Sequence, residues 1–312
     1  MKRLTVLLGA LALILAACGD DGATDTTAAP DTTAAPDTTQ PTETTMATTT
    51  TTMATTTTEA DECAVENLET VSPGQLTAAT GEPAFEPWVV DDDPSSGEGF
   101  EAAVVYAVAE EMGFSPDDVT WTRVGFDEAI APGDKDFDVN IQQYSITEER
   151  DEVVDFSAPY YVTQQALVGF ADSEIANATS LDDLKAYRLG AQIGTTSLDY
   201  IEEVIQPDPE VSVYDTNSDA KSALDAGQID AIVFDLPTAY FITAVEMTDT
   251  QIVGALPASE EQADRFGMLM EEGSPLKPCV DRAIEALRED GTLDALAEEW
   301  LSQETDIPVL EQ

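Results

Sequence analysis

The chain has 312 residues, with 63 Asp and Glu, 12 Lys and Arg, and no His. Without imidazole, this sequence excludes a Ser-His-Asp triad, a Cys-His dyad and a His-ligated metal site. A formal net charge of −51 would repel a phosphate backbone, so nucleic acid is not an expected partner. The apolar content of 43% is ordinary for a folded protein, so the acidity does not predict a wholly disordered chain.

Residues 1–17 are predicted to be a signal peptide. Lys2 and Arg3 precede an apolar run that is shorter than the roughly 20 residues of a transmembrane helix. The run ends in Leu-Ala-Ala-Cys at residues 15–18, which resembles the lipobox of bacterial lipoproteins and predicts that Cys18 is lipidated. An ordinary cleaved signal peptide is the alternative. Lipidation would hold the protein on the extracytoplasmic face of the cell membrane, either periplasmic or at the cell surface, without crossing the membrane.

Residues 18–60 are predicted to be a disordered tether. Asp-Thr-Thr-Ala-Ala-Pro occupies residues 25–30 and repeats at 31–36, and a Thr-rich run continues to residue 58. This segment has no periodic apolar face, so burial cannot offset the entropy that ordering would cost. We therefore expect a flexible, Thr/Pro-rich linker that is open to O-glycosylation.

Two cysteines remain in the part of the chain that is expected to fold. Cys63 opens that part, and Cys279 opens its last helical section. Two leftover cysteines in an exported protein favour a disulfide, which here would close a loop of about 200 residues. Two buried thiols are the alternative.

From residue 76 the chain alternates apolar strand-like runs with helical patterns. Strands are predicted at 76–80, 119–124, 137–141, 164–170, 188–193, 211–214, 229–234, 251–256 and 266–270. Helices are predicted at 99–112, 181–187, 196–205, 219–226, 238–247, 276–289 and 293–301. This alternation predicts parallel sheets covered by helices, arranged as two lobes. Ligands of such folds bind at the carboxyl ends of the strands, so the cleft between the lobes is the expected site.

Residues 63–303 resemble the polar-amino-acid-binding proteins of ABC transporters, solute-binding protein family 3. Four blocks carry the resemblance: residues 80–88 followed by Gly-Phe-Glu at 99–101; 145–150 followed by 154–160; Gly-Ala-Gln-Ile-Gly-Thr-Thr at 190–196; and 223–235. Late in the chain, residues 287–293 and Trp300 match the closing helices of the family.

The resemblance implies an α/β, two-lobed, periplasmic-binding-protein-like type II fold, with discontinuous lobes joined by two crossing strands. Lobe 1 is expected at 61–166 and 257–312, and lobe 2 at 167–256. The implied function is a binding protein, not an enzyme, that delivers a polar amino acid to an ABC permease and ATPase complex. No cofactor and no metal are expected, and the protein is expected to be a monomer.

The resemblance also implies how the amino acid would be held. A zwitterion needs its two charges matched separately, because burying either one unpaired is costly. Arg150 would bind the α-carboxylate through its planar fork, and Asp235 would receive the α-ammonium. Thr195 and Thr196, at the start of a helix, would contact the carboxylate from the second lobe. Ser145 and the backbone of Gln143 would complete the polar shell of the first lobe.

Side-chain selectivity is left open by the sequence. Phe85, Trp88 and Phe126 match positions that often line the pocket in the family, although Trp88 could equally be a core residue. Glu82 stands where relatives often have an Asp that contacts the ligand's side chain, which hints at a cationic or amide group. Gln143 stands where smaller residues are common. The amino acid is therefore not named from these residues.

Two alternative functions accompany this interpretation. A dehydratase of cyclohexadienyl acids or arogenate on the same fold would need a poised acid, for which Glu82 is the candidate. A non-transporting surface or sensory protein is the second. Separately, the acidic run Asp91, Asp92 and Asp93 could suggest calcium binding, but it lacks the spaced ligands and distal Glu of a calcium loop.

Overall fold

The computed structural model of the protein describes residues 61–259, 263–301 and 307–312. The predicted signal peptide, Cys18 and the tether lie outside these residues. No helix within the described ranges has the length and apolar character needed to cross a bilayer.

The strands of the described chain are short. In chain order they are β1 (Leu76–Thr80), β2 (Val119–Arg123), β3 (Val139–Asn140), β4 (Asp155–Phe156), β5 (Tyr161–Thr163), β6 (Gln165–Phe170), β7 (Leu189–Gln192), β8 (Ser212–Tyr214), β9 (Ala231–Asp235), β10 (Thr250–Ala255), β11 (Asp264–Phe266) and β12 (Leu269–Met270).

The α-helices alternate with these strands. They are α1 (Phe100–Glu111), α2 (Phe126–Ile130), α3 (Leu181–Leu184), α4 (Thr196–Asp199), α5 (Asn217–Asp225), α6 (Leu236–Phe241), α7 (Lys277–Glu289) and α8 (Thr292–Trp300). Helix α4 continues as a π-helix over Tyr200–Ile205, and α6 continues as a π-helix over Ile242–Glu246.

The first lobe is built on a five-stranded sheet in the order β2-β1-β3-β12-β4. Every residue of β1 is buried, as expected for a central strand covered on both faces. Helix α7 packs against this lobe through an apolar stripe that recurs every three to four residues and includes Val280, Ile284 and Leu287.

Helix α1 starts at Gly99 because the backbone folds tightly onto the preceding loop there. Gly99 has φ of 101°, and a Cβ at this position would lie 2.5 Å from the carbonyl oxygen of Trp88. Only glycine accommodates this conformation and this close approach. The same oxygen accepts a hydrogen bond from the backbone N–H of Glu101, so the turn places Trp88 and Glu101 side by side beneath the cleft.

The second lobe is built on a five-stranded sheet in the order β10-β6-β9-β7-β8. Its core lies on both faces of the sheet. One face packs Leu167, Leu189 and Ile201 together, and the other packs Val168, Ile232 and Phe234.

Two strands connect the lobes as an antiparallel ribbon. β5 leads from the first lobe toward the second, and β11 returns, with Asp264 opposite Thr163 and Phe266 opposite Tyr161. The predicted two-lobed fold with two crossing strands is therefore confirmed.

A disulfide joins Cys63 to Cys279, which opens α7, across a sequence separation of 216 residues. The structure thus shows the predicted pairing and not two free thiols. The bond ties the start of the described chain to the last helical section of the first lobe.

Several details differ from the sequence-based expectations. Both sheets are mixed, not parallel: β12 runs antiparallel to β3 and β4, and β6 runs antiparallel to β9 and β10. The reason is that these strands adjoin the crossing segments, which enter and leave each sheet without an intervening crossover helix. The strand predicted at 266–270 is two strands, β11 and β12, which belong to different sheets.

The last six residues also differ from their predicted assignment to lobe 1. Residues 307–312 lie on the second lobe, where the backbone of Leu310 donates to the carbonyl oxygen of Ala255 at 3.0 Å. The side chain of Leu310 is 3% exposed and fills the space above Gly254. Glycine leaves this space free, because a Cβ there would lie 2.8 Å from the Leu310 side chain.

Candidate ligand-binding site between the lobes

Side chains from both lobes line one cleft beside the crossing ribbon. The cleft leaves about 80 Å³ open to the centres of water molecules, which is room for several waters at roughly 10–15 Å³ each and suits a small solute. The first lobe contributes Thr80, Gly81, Pro83, Ala84, Phe85, Trp88, Val89, Phe126, Gln142, Gln143, Ser145 and Arg150. The second lobe contributes Gln165, Gln192, Thr195, Thr196, Ser197, Asn217, Phe234 and Asp235, and Phe266 comes from the ribbon.

Arg150 is a buried cation, 8% exposed, at the floor of this cleft. Its Nη1 donates to the carbonyl oxygen of Ser145 at 2.7 Å, and its Nη2 donates to that of Gly194 at 2.8 Å. The guanidinium also lies 5.6 Å from the ring centroid of Phe126. Among the described residues it makes no ion pair with a carboxylate. Burial lowers the pKa of Arg150, which reflects the cost of a desolvated charge without a counterion.

Asp235 ends β9 and faces the cleft from the other lobe. It caps α6: its Oδ1 accepts from the backbone N–H of Thr238 at 2.9 Å, and its Oδ2 accepts from the Thr238 hydroxyl at 2.8 Å. Burial raises the pKa of Asp235 to about 6, because the two Thr238 donors only partly offset the loss of water. No Lys or Arg of the described chain forms an ion pair with it.

Glu101 is a fully buried carboxyl directly behind the cleft wall. It accepts from the backbone N–H of Gln143 at 2.7 Å, from the Gln143 side-chain amide and from the Tyr160 hydroxyl. Burial raises the pKa of Glu101 to about 7, and the nearby negative charge of Asp235 adds to the rise. Gln143 has φ of 51°, an uncommon conformation for a non-glycine residue. Its hydrogen bonds to Glu101 hold it in that conformation at the cleft.

The two threonines at the start of α4 play different structural parts. Thr195 is the N-cap: its hydroxyl accepts from the backbone N–H of Leu198 at 3.2 Å and donates to the carbonyl oxygen of Gln192 at 2.7 Å. Its side chain is therefore occupied. The Thr196 hydroxyl lies 3.3 Å from that of Ser145 on the other lobe, and both line the cleft.

The three predicted aromatic residues all line the cleft, each in a different setting. Phe126 stacks on Tyr144 with ring centroids 4.7 Å apart. Phe85 makes a cation–π contact with Lys221, whose ammonium lies 5.2 Å from the ring centroid. Trp88 is 1% exposed and belongs to the core of the first lobe, yet its edge also reaches the cleft.

Direct contacts hold the lobes together across the cleft. Trp88 Nε1 donates to the Thr238 hydroxyl at 2.9 Å, which continues the hydrogen-bond chain to Asp235. The contacts of Arg150 with Gly194 and of Ser145 with Thr196 also cross from lobe to lobe. The structure is thus the closed arrangement of the two lobes.

Glu82 is not brought to the cleft. Its side chain is exposed, and it is absent from the cleft lining, whereas its neighbours Gly81 and Pro83 are part of that lining. The side-chain amide of Gln142 lies against Gly81 instead, and a Cβ at residue 81 would be 2.5 Å from Gln142 Nε2. At this part of the cleft the lining thus includes the Gln142 amide and not the Glu82 carboxylate.

Within the acidic residues 91–93, Asp92 and Asp93 make contacts that stabilise the local structure. Asp92 forms an ion pair with Arg123 at 2.7 Å and accepts from the backbone N–H of Ala84 at 2.8 Å. Asp93 caps the short 3₁₀ helix that follows it. Within the described ranges, no group of Cys, Asp and Glu side chains is arranged to hold a metal ion.

Sequence reasoning missed several polar residues of the cleft. Gln142, Gln192 and Asn217 line it, and Gln165 connects it to the ribbon through a 2.6 Å hydrogen bond to Asp264. Gln192 lies within the block at 190–196, and Gln142 lies shortly before the block at 145–150. Closeness to these blocks is the sequence signal that could have identified both residues. Nothing local in the sequence marks Asn217.

Comparison with known proteins places this architecture in a family. Residues 77–303 match the family described as bacterial extracellular solute-binding proteins, family 3. The L-cystine-binding protein TcyJ of Escherichia coli (strain K12) is 29% identical over 222 residues, which cover 70% of this chain and 80% of TcyJ. The ABC transporter glutamine-binding protein GlnH of Bacillus subtilis (strain 168) is 27% identical over 216 residues, which cover 68% of this chain and 76% of GlnH.

A solved structure agrees with these sequence relatives. An ancestral arginine-binding protein bound to glutamine is 30% identical to this chain and superposes with a TM-score of 0.63, covering 74% of this chain and all of that one. The family match spans most of the chain and includes both lobes and the cleft between them. The chain therefore belongs to family 3 of the bacterial extracellular solute-binding proteins.

Proposed function

We propose that the protein binds a polar α-amino acid between its lobes and delivers it to an ABC permease and ATPase complex in the membrane. The observation that carries this proposal is the pair Arg150 and Asp235. One buried cation and one carboxylate come from opposite lobes to the same cleft, and neither has an ion-pair partner within the described residues. An amino-acid zwitterion supplies both missing partners at once.

The roles of the residues follow from their contacts. Arg150 uses one N–H of each Nη on a backbone carbonyl and keeps further N–H donors for the ligand's α-carboxylate. The hydroxyls of Thr196 and Ser145 lie beside each other and would add donors, whereas Thr195 would contribute through its backbone N–H. Asp235 would receive the α-ammonium, with Thr238 fixing the orientation of its carboxylate.

Binding would be coupled to closure of the lobes. A ligand that contacts Arg150 on one lobe and Asp235 on the other binds the closed form better than the open form and so shifts the equilibrium toward closure. The closed form is then the state that the permease receives. This mechanism makes and breaks no covalent bond.

The relatives support the transport role. GlnH is by name an ABC transporter glutamine-binding protein, and TcyJ binds L-cystine. From the sequence of residues 1–60 we further propose that the protein is anchored outside the cytoplasm by a lipid on Cys18, through the tether of residues 18–60, and that it acts as a monomer. Mass spectrometry of the membrane-extracted protein should find the lipid on Cys18, and Cys18→Ala should release the protein from the membrane.

The dehydratase alternative receives less support from the site. Such an enzyme needs a carboxylic acid beside the substrate ring. Among the described residues that line the cleft, Asp235 is the sole carboxyl, and Glu82 is exposed elsewhere. The sensory alternative uses the same binding site, so uptake of the labelled ligand by cells separates it from transport.

Thermal unfolding of the purified protein with each of the twenty amino acids tests the proposal. A ligand at 100 times its Kd should add about 2.7 kcal/mol to the free energy of unfolding. Arg150→Ala should abolish the shift. Arg282→Ala is the matched control, because Arg282 is an exposed cation that pairs with Asp61. If no amino acid stabilises the protein, or if Arg150→Ala responds as the wild type does, the proposal is wrong.

A further inference from the structure

We infer that the bound amino acid has an uncharged side chain carrying both a hydrogen-bond donor and an acceptor, as a carboxamide does, and that Gln142, Gln192 and Asn217 select it. This inference rests on the proposed amino-acid function and names the class of ligand.

In the proposed complex, Arg150 pairs with the α-carboxylate of the ligand and Asp235 pairs with its α-ammonium, so no charge of the cleft remains for the ligand's side chain. Within the described lining, Arg150 is the only cation and Asp235 the only carboxylate. Two cations that adjoin the lining already have partners: Lys221, over Phe85, pairs with Glu246 at 2.6 Å, and Arg123 pairs with Asp92 at 2.7 Å. A charged ligand side chain would therefore meet no unpaired counter-charge among the residues of the lining, which is costly.

The amides of the cleft offer unpaired donors. Gln142 Oε1 accepts from the Tyr144 hydroxyl at 3.0 Å, and its Nε2 has no partner among the described residues. Gln192 Oε1 accepts from the backbone N–H of Asn217 at 3.0 Å and likewise leaves its Nε2 free. Both amides therefore have N–H donors that are available to a ligand.

The cleft offers unpaired acceptors as well. Gln143 donates its Nε2 to Glu101, which leaves its Oε1 as an acceptor. The side-chain amide of Asn217 lines the cleft and forms no hydrogen bond with another described residue, so it can both donate and accept.

This mixture of donors and acceptors discriminates between classes of side chain. A carboxamide carries one acceptor oxygen and an NH₂ donor and can satisfy both kinds of group. A guanidinium or ammonium group has donors only, and a carboxylate has acceptors only. Each of these would leave some polar groups of the cleft unpaired and would carry a charge that no residue of the lining balances.

Calorimetric titration of the purified protein tests the inference with glutamine, asparagine, glutamate, aspartate, lysine, arginine and cystine. A carboxamide amino acid should bind about tenfold or more tightly than any of the charged ones, since unpaired buried polar groups disfavour the latter. Asn217→Asp and Gln192→Glu should reduce that preference about tenfold and shift it toward lysine and arginine. Asp is well tolerated at the first residue of a helix, where Asn217 lies, so this variant is expected to fold.

Gln228→Glu is the matched control, because it makes the same change of charge on an exposed turn. It should leave the preference unchanged. If a cationic, an anionic or the doubly zwitterionic cystine ligand binds most tightly, and still depends on Arg150, this inference is wrong while the proposed function stands. If no amino acid binds in an Arg150-dependent way, both are wrong. If a carboxamide is preferred but the Asn217 and Gln192 variants keep that preference, the assignment to these residues is wrong.

Discussion

Glu101 is a fully buried carboxyl behind the cleft wall, and replacing it with glutamine tests the electrostatics of this region. Three donors point at it, two from Gln143 and one from Tyr160. Glutamine has the same shape as the protonated acid but cannot ionise. Glu101→Gln therefore keeps most of the packing and removes the ionisable carboxyl group.

The size of the effect follows from the pKa of Glu101, which burial raises from 4.5 to about 7. An acid with a raised pKa holds its proton more tightly in the folded state than in the unfolded one. Its contribution to stability is complete below pH 4.5 and is lost as the pH rises to about 7. A shift of this size corresponds to about 3 kcal/mol at 1.36 kcal/mol for each pH unit.

The assay is urea unfolding of the wild type and Glu101→Gln between pH 4.5 and about 8, at roughly 0.5 M NaCl, where the exposed carboxylates are largely screened. The difference between the two proteins cancels the titration of the many other acidic residues. With rising pH, the free energy of unfolding of the variant should gain about 3 kcal/mol relative to the wild type.

Asp235→Asn provides an internal check. Removing the neighbouring negative charge should lower the pKa of Glu101 and move the midpoint of this gain to lower pH. A difference between wild type and Glu101→Gln that stays flat from pH 4.5 to about 8 would falsify the reasoning, because Glu101 would then not titrate in this window.

Three further predictions concern ligand affinity and the disulfide. Asp235 has a pKa of about 6 and must be ionised to receive an ammonium group, so the Kd for the amino acid should rise about tenfold from pH 7 to pH 5; a flat calorimetric profile would contradict this role. Replacing Cys63 and Cys279 together with alanine should lower the free energy of unfolding by about 3–5 kcal/mol, because the disulfide closes a long loop; unchanged urea unfolding would argue against it. Trp88→Phe removes the 2.9 Å hydrogen bond to Thr238 that holds the closed lobes together; this should weaken binding about fivefold, whereas an unchanged Kd would show that the bond adds nothing to closure.

Much of the fold could be predicted from the sequence because its signals are local. The apolar run of β1, the periodic stripe of α7 and the glycine before α1 each report on their own segment. The disulfide was predictable for a simpler reason, since two cysteines outside the signal region leave one possible pairing.

The site was predictable mainly through the family resemblance, which assigned Arg150, Asp235, Ser145, Thr195 and Thr196 to it, and all five line the cleft. A rare residue type made one of these predictions stronger. Ten of the chain's 12 cations lie beyond the predicted signal peptide, so an Arg within a recognisable block stands out, and the structure brings Arg150 to the cleft. The amides did not stand out. Gln142 and Asn217 are ordinary surface residue types, and only the folded chain brings them from opposite lobes to the same cleft.

Glu82 and Glu101 show where position in the sequence stops being informative. Both lie within blocks that identify the family. Glu82 is exposed, whereas Glu101 is fully buried and surrounded by donors. Each residue adjoins a close approach between separate segments, of Gly81 to Gln142 in one case and of Gly99 to Trp88 in the other.

By itself the sequence determined the fold class, the family, most of the helices and strands, and the candidate pair of charges, because these depend on local pattern and on the sequence blocks that resemble the family. Only the tertiary structure decided that the sheets are mixed, that the last residues pack on the second lobe, and that amides surround the cleft. These features arise from contacts between segments far apart in the chain, and such contacts leave no periodic trace in either segment alone.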